Sequence, residues 1–137
     1  LAYLESQRML TPTSGSVPAA GTLYYPPKWR GRAGATWSHG QLSLGLFGNY
    51  IGGLKDRRVA PVTSVEGMRT IDLTARYRTG EGDGIMDGIE VSASALNIFN
   101  DKPDMIRTAA PFYPAYDSTN YSAVGRFLSI TVTKRFQ

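Results

Sequence analysis

The amino-acid sequence predicts an all-β fold of antiparallel strands, and three observations lead to this prediction. Several segments alternate apolar and polar residues with a period of two, as a strand with one apolar face does. The 137 residues include 15 glycines and 8 tyrosines, a composition that suits strands and turns. No apolar run approaches the roughly 18 residues of a membrane-spanning helix. The length suits one domain, which we place at residues 1–137.

Charge and composition argue against several classes of function. The net charge is +4 and the arginines are scattered through strand-like segments, so we expect no nucleic-acid binding. His39 is the only histidine and cysteine is absent, which leaves little material for a metal site. No Ser, His and Asp set lies in a nucleophile motif such as G-x-S-x-G. The sequence therefore predicts neither a catalytic residue nor a cofactor.

The N-terminal part of the chain predicts little regular structure. Residues 1–8 alternate poorly and are predicted to be the end of a strand. Residues 10–27 are rich in Pro, Gly, Ser and Thr and are predicted to form a long loop. The chain starts with Leu-Ala-Tyr and no Met, and we expect it to be a piece of a longer protein.

Residues 29–38 predict a strand whose apolar face has a tryptophan at each end. Small residues lie between Trp29 and Trp37 on this face, and the opposite face carries two arginines. The eight steps between the tryptophans span roughly 26 Å at about 3.3 Å per residue. A tilt of about 40° leaves roughly 20 Å along a membrane normal, close to the apolar band of an outer-membrane barrel. A chance placement of both tryptophans on one face is the alternative interpretation.

Three further strands continue the alternation. Residues 41–52 follow a tight turn at 39–40, and Phe47 is the one exception on their polar face. Residues 68–78 and 89–99 alternate in the same way. The three apolar rows comprise, in chain order, Leu42, Leu44, Leu46, Gly48 and Tyr50; Ile71, Leu73, Ala75 and Tyr77; and Ile89, Val91, Ala93, Ala95 and Phe99.

The glycine-rich turn between the second and third of these strands, residues 80–84, brings carboxylates together. Glu81, Asp83 and Asp87 suggest calcium, but their spacing does not match an EF-hand loop. We expect a solvated turn.

Residues 126–136 form the last predicted strand. Leu128, Ile130 and Val132 alternate with hydroxyl residues, and Phe136 closes the apolar row. In a soluble sheet this row would face a core, whereas in an outer-membrane barrel it would face lipid. The aromatic residues predicted to form a membrane girdle are Trp29, Trp37, Tyr50, Tyr77, Phe99 and Phe136.

The lengths of the connections alternate along the chain. Residues 10–27, 53–67 and 100–123 are long connections, whereas 39–40 and 80–88 are short. Residues 53–67 are charged and are predicted to be exposed. Outer-membrane barrels have short periplasmic turns and longer extracellular loops. With a periplasmic C-terminus, every long connection would lie on the extracellular side of the membrane.

Several short motifs occur in a fixed order from about residue 26 onwards. They are PKW at 27–29, NYIG at 49–52, TIDL at 70–73, ALNIFNDKP at 95–103, YD at 116–117 and GR at 125–126 before the terminal strand. In this order the sequence resembles the C-terminal part of a TonB-dependent outer-membrane receptor, whose NLFDKxP segment is similar to residues 95–103. Gln137 is a departure, because such proteins usually end on the aromatic residue.

The resemblance implies a fold, a location and an activity. The fold is a transmembrane barrel of about 22 antiparallel strands around an N-terminal plug, of which this chain supplies about the last six strands. The location is the outer membrane of a Gram-negative bacterium, in contact with outer-membrane lipid, with the missing plug and strands of the same protein, and with TonB. The activity is uptake of a small-molecule nutrient, by default a ferric siderophore or a similar chelate.

Arginines on the polar strand faces are the first candidates for ligand binding. Arg30, Arg32, Arg76 and Arg78 would point into the lumen, where guanidinium groups attract anionic cargo. The alternative, which we favour, is that they pair with carboxylates of the plug or of neighbouring strands.

The last long loop supplies a second group of candidates. Cations and aromatic rings together suit flat or sugar-like ligands. The candidates are Asp101, Arg107, Phe112, Tyr113, Tyr116 and Tyr121. The alternative is that Phe112, Tyr113 and Tyr121 belong to the external aromatic girdle.

A soluble antiparallel β-sandwich or a calycin-like barrel that binds a small ligand is the alternative to the transporter. Such a fold buries its aliphatic rows between layers of the same molecule. The exposure of these rows therefore separates the two hypotheses.

Overall fold

The computed structural model describes residues 1–5, 7–9, 16–58, 60–80, 84–107 and 112–135. Within these ranges the regular structure is β-strand, which confirms the all-β prediction. No helix among the described residues has the length and apolar character to cross a membrane. The strands are β1 (Ala2–Tyr3), β2 (Gln7–Met9), β3 (Ser16–Pro18), β4 (Trp29–His39), β5 (Leu42–Ile51), β6 (Leu54–Asp56), β7 (Thr63–Val65), β8 (Met68–Arg78), β9 (Ile89–Leu96) and β10 (Phe127–Lys134).

Six of these strands form one sheet in the order β1-β4-β5-β8-β9-β10. The pairs β1–β4, β8–β9 and β9–β10 are antiparallel, as predicted. The remaining four strands form two small antiparallel pairs, β2–β3 and β6–β7. The five long strands, β4, β5, β8, β9 and β10, lie side by side in chain order, which is the order of a meander.

The predicted bounds of the long strands agree closely with the structure. Residues 68–78 coincide with β8, and β4 extends one residue beyond its predicted end to His39. β9 ends at Leu96 rather than at residue 99. Asn97 and Asn100 adopt positive φ angles of 50° and 57°, which an extended strand does not accommodate.

Two of the predicted loops contain regular structure, and this corrects the sequence-based prediction. Residues 10–27 include β3, and residues 53–67 include β6 and β7. The second of these loops is charged but not uniformly exposed, because Leu54, Asp56 and Val65 are buried. Leu54 lies opposite Val65 in the β6–β7 register, so a short hairpin turns one apolar row inward.

The chain divides into two compact units, which we describe separately. The loop unit comprises Leu1–Arg32, Asn49–Arg69 and Asp101–Gly125. The strand unit comprises Ala33–Gly48, Thr70–Asn100 and Arg126–Gln137.

The loop unit has a small hydrophobic core drawn from all three long connections. Its buried residues are Leu23, Leu54, Val65, Met68, Ile106 and Tyr121, with Ile51 and Tyr116 packed against them. Segments that are distant in sequence thus share one apolar cluster. The hydrophobic effect holds these loops together, because apolar side chains from each are removed from water.

Candidate functional site

The register of the strand unit places the apolar rows side by side. Residues opposite one another in antiparallel strands project to the same face. The cross-strand rows on one face are Leu73–Ala95–Leu128, Ala75–Ala93–Ile130 and Tyr77–Val91–Val132. We call this surface, together with Trp37, Leu44 and Leu46 of β4 and β5, the apolar face.

The apolar face is exposed. Leu128, Ile130 and Val132 are 67%, 77% and 66% exposed. Trp37, Leu46 and Leu73 are also exposed large hydrophobic residues. No layer formed by the described parts of the chain covers them. Contiguous exposed apolar surfaces occur at membrane and protein–protein interaction sites and at ligand-binding grooves.

The opposite face of the same strands is polar, and its charges pair internally. Rows of hydroxyl residues meet there, and the hydroxyls of Ser94 and Ser129 lie 2.7 Å apart. Glu90 of β9 accepts a hydrogen bond from Arg78 Nη2 at 2.7 Å and lies 3.3 Å from Arg76 Nε. The prediction that these arginines pair with a carboxylate of a neighbouring strand is confirmed for Arg76 and Arg78.

The other two candidate arginines lie on β4 in the loop unit. Arg30 and Arg32 are both exposed, and Arg30 lies opposite Ala2 in the β1–β4 register. Their role in ligand binding stays a prediction.

The predicted girdle residues within the described ranges are exposed aromatic side chains. They are Trp29, Trp37, Tyr50, Tyr77 and Phe99. Trp29 packs on Tyr3 with ring centroids 4.5 Å apart, and the Tyr77 hydroxyl donates to Gln41 Oε1 at 2.8 Å. Exposure is what a membrane girdle requires, and the assignment stays a prediction. Phe136 and Gln137 lie outside the described residues.

The loop candidates for ligand contact do not form one surface. Tyr113 is exposed, whereas Tyr116 packs against the core and Tyr121 is only 4% exposed. Arg107 Nη2 donates to the carbonyl oxygen of Pro61 at 2.8 Å and contacts Thr63 Oγ1 at 3.3 Å. Of the remaining two, Phe112 is exposed and Asp101 accepts a hydrogen bond from the Arg69 amide. Through its contacts with Pro61 and Thr63, Arg107 connects two of the long loops.

Tyr121 is a core residue of the loop unit rather than a surface contact. Its hydroxyl donates to the carbonyl oxygen of Gly52 at 2.8 Å. Burial, with the charge of Asp117 as a second cause, raises the pKa of Tyr121 to about 12. The sequence gives no periodic signal for this burial, because the residue lies in an irregular segment.

A buried carboxylate of the loop unit pairs with a partly exposed arginine. Asp56 is 1% exposed and binds Arg58 through contacts of 3.0 Å to Nε and 2.9 Å to Nη2. The hydrogen bond from the Arg58 side chain holds the pKa of Asp56 below its usual value. Arg58 Nη2 also donates to the carbonyl oxygen of Arg107 at 2.6 Å. This pair fixes β6 against the last long loop.

Asp117 is a second buried carboxylate that organises loops. It is fully buried and accepts hydrogen bonds from the Tyr24 amide at 2.8 Å and from Asn120 Nδ2 at 3.0 Å. The Thr119 amide donates to its other oxygen at 3.0 Å. Aspartate followed by short polar residues is a turn signal, which is the one clue that the sequence offers here.

The structure contains no metal centre in the part that it describes. No group of three or more His, Cys, Asp or Glu residues there is placed to hold an ion. Asp87 accepts a hydrogen bond from the Gly84 amide, as a turn residue does, whereas Glu81 and Asp83 lie outside the described residues.

A scan against protein-family models and searches of curated proteins and of solved structures found no match for this chain. The functional argument therefore depends on the residues and their geometry.

Proposed function

We propose that this chain is part of an outer-membrane transporter of a Gram-negative bacterium. The transporter binds a nutrient at the cell surface and imports it with energy transduced by TonB. A ferric siderophore or a similar chelate is the default cargo. The observation that carries the proposal is the exposed apolar face of the strand unit, with polar rows on its reverse side.

Hydrocarbon is the environment that best suits this face. In water, exposed aliphatic side chains on neighbouring strands would favour association or aggregation. In a membrane they contact acyl chains, while the polar rows opposite them face an aqueous lumen. The cross-strand pairing of Arg76 and Arg78 with Glu90 suits such a lumen, because it neutralises charge locally.

The division of the connections between the two units supports the same topology. Each of the three long connections supplies buried residues to the loop unit. The two short connections, residues 40–41 and 79–88, belong to the strand unit. Long loops at the cell surface and short turns in the periplasm produce such a division.

The open ends of the sheet provide a place for the rest of the proposed barrel. β1 and β10 are the first and last strands in the described sheet order. An unpaired strand edge is a template for another strand. We propose that further strands of the same protein pair there, that a plug of the same protein fills the lumen, and that the parent protein contacts TonB.

The soluble sandwich or calycin-like alternative requires the aliphatic rows to be covered. The exposure of Leu128, Ile130 and Val132 weighs against it. An enzyme is not part of the proposal, and no nucleic acid or cofactor is proposed as a partner.

Site-directed spin labelling tests the proposal directly. Adjacent positions should alternate between lipid and water, so the matched pairs are Leu73→Cys with Thr74→Cys and Ile130→Cys with Thr131→Cys. The chain has no cysteine, which removes background labelling within it. The full-length protein would be labelled in outer-membrane vesicles and probed with oxygen and with a water-soluble nickel chelate.

The expected result is that labels at positions 73 and 130 collide with oxygen, which concentrates in lipid. Labels at positions 74 and 131 should collide with the nickel chelate. Equal access of both partners of each pair to the nickel chelate would contradict the lipid contact and favour the soluble alternative.

A further inference from the structure

A basic pocket in the loop unit is separate from every candidate considered above. Its volume is about 330 Å³, within the range of small-ligand sites. Its lining residues include three cations, Lys28, Lys55 and Arg57, together with Thr22 and Ser64. No carboxylate is among its lining residues.

The backbone around the pocket is fixed by hydrogen bonds between separate segments. The Lys55 amide donates to the carbonyl oxygen of Gly21 at 2.9 Å, and the Leu23 amide donates to the carbonyl oxygen of Lys55 at 3.2 Å. Lys55 also lies opposite Ser64 in the β6–β7 register. One loop and one hairpin therefore hold the backbone of Lys55 in place.

Gly21 determines where Lys28 lies. Its φ angle is +77°, and a β-carbon on residue 21 would come within 3.0 Å of Lys28 Cγ and 3.4 Å of Lys28 Cδ. The aliphatic part of Lys28 thus packs over a glycine that has no side chain. This contact orders the aliphatic stem of a lysine that lines the pocket.

The nearest carboxylate in sequence is already engaged. Asp56 lies between Lys55 and Arg57, but strand alternation directs it to the buried side, where both of its oxygens bind Arg58. Asp56 pairs with Arg58, and Glu90 pairs with Arg76 and Arg78, whereas none of the three pocket cations forms an ion pair with another described residue.

We propose that this pocket binds a small polyanion, with two or more negative charges carried on phosphate or carboxylate oxygens. Three cations around one cavity repel one another, and a monoanion would leave most of that repulsion uncompensated. Phosphate and polycarboxylate groups supply the charge and the several acceptor oxygens that lysine and arginine donors match.

The proposal goes beyond transport and stands on the loop unit alone. It does not require the apolar face to contact lipid. A free polyanion and the phosphate headgroup of a lipid offer the same chemistry. The experiment therefore includes both sources.

Binding to the full-length protein in nonionic detergent would be measured by titration calorimetry at constant ionic strength. The probes are citrate and inorganic phosphate for free anions, and dihexanoyl phosphatidic acid below its micellar concentration for a lipid headgroup. The test variant is Lys28→Gln with Lys55→Gln. Lys55→Arg keeps the charge, and Lys102→Gln removes an exposed cation of the same unit that does not line the pocket.

At least one probe should bind the wild type, and its affinity should fall at least about tenfold in the double variant, since hydrogen bonds to charged groups are lost. Lys55→Arg and Lys102→Gln should bind as the wild type does. Preference for dihexanoyl phosphatidic acid would assign the site to lipid, and preference for citrate or phosphate to a soluble anion. No binding of any probe, or an equal loss in Lys102→Gln, would overturn the proposal.

Discussion

The ring of Phe47 lies against Gly34 and occupies the space that a side chain at residue 34 would need. A β-carbon on Gly34 would overlap Phe47 Cδ1 and come within 2.8 Å of the Leu46 carbonyl oxygen. A β-carbon on Gly45 would lie 3.0 Å from Phe47 Cε2. Two glycines on the polar face thus make room for the one aromatic residue that breaks the alternation of β5.

Gly34→Ala should lower the free energy of unfolding by about 1–3 kcal/mol, because the ring or the adjacent backbone has to move. The matched control is Gly48→Ala on β5, where the nearest atom to a new β-carbon is Ile71 Cδ1 at 3.6 Å, an ordinary contact. The free energies of unfolding of both variants are measured by urea unfolding of the full-length protein in detergent, followed by tryptophan fluorescence. Equal stability of the two variants would contradict the packing argument.

The long strands could be predicted from the sequence because a period of two is a local signal. Leu128, Ile130 and Val132 lie at alternate positions within five residues, which is enough to predict that they share one face of a strand. The place of Phe47 could not be predicted, because it depends on glycines of two strands that only the sheet register brings together.

The core of the loop unit could not be predicted either, because its residues come together only in the folded chain. Leu23, Ile106 and Tyr121 are single apolar residues in irregular segments, and no periodicity marks them as buried. Asp56 and Asp117 are carboxylates in polar loops, where exposure is the ordinary expectation. Their burial follows from hydrogen-bond partners that are fixed only when the loops meet.

Tyr121→Phe should lower the free energy of unfolding by about 1–3 kcal/mol, because the buried carbonyl group of Gly52 loses its donor. Tyr113→Phe is the control, since that side chain is 68% exposed. Urea unfolding in detergent, read from the fluorescence of Trp29 and Trp37, measures the change. A loss of the same size in both variants would show that the hydrogen bond from the Tyr121 hydroxyl does not stabilise the fold.

The same tyrosine should make stability depend on alkaline pH. Its pKa is about 12 in the folded protein, above the ordinary value of about 10 for an unfolded chain. The folded state therefore holds the proton more tightly, and this stabilisation is complete below about pH 10 and lost as the pH rises towards 12. The wild type should lose more stability than Tyr121→Phe across this interval. If the free energy of unfolding of the two proteins depended on pH in the same way, the raised pKa of Tyr121 would be contradicted.

Arg58→Ala should destabilise the loop unit by about 1–3 kcal/mol, because Asp56 would keep its buried position without its main donor. The pKa of Asp56 is lowered in the folded state, chiefly by the hydrogen bond from Arg58. Its stabilisation is thus present above the unfolded pKa of about 3.9 and lost as the pH falls through the lower folded value.

Acid unfolding in detergent compares the wild type with Arg58→Ala and with the exposed-site control Lys102→Ala. The wild type and the control should share the same acid-dependent loss of stability, and Arg58→Ala should show a smaller one. An unchanged acid profile in Arg58→Ala would show that the ion pair does not contribute.

Arg76→Gln and Arg78→Gln should reduce stability by less than about 1 kcal/mol each, because the two arginine side chains are 59% and 49% exposed and solvent screens their pairs with Glu90. Uptake of radiolabelled ferric citrate by cells that express each variant should stay at the wild-type level if these arginines serve only to neutralise Glu90. A several-fold loss of uptake with unchanged stability would instead assign them to ligand contact.

The 137-residue chain by itself should fail to fold as a stable monomer in detergent-free buffer. The outer edges of β1 and β10 would be open to pairing with other chains, and the apolar face would be exposed to water. Sedimentation velocity should show large or heterogeneous species, and thermal circular dichroism should show no cooperative transition. In detergent micelles the same chain should be less aggregated, since acyl chains cover the apolar face. A monodisperse monomer that melts cooperatively without detergent would contradict both the open strand edges and the proposed contact of the apolar face with lipid.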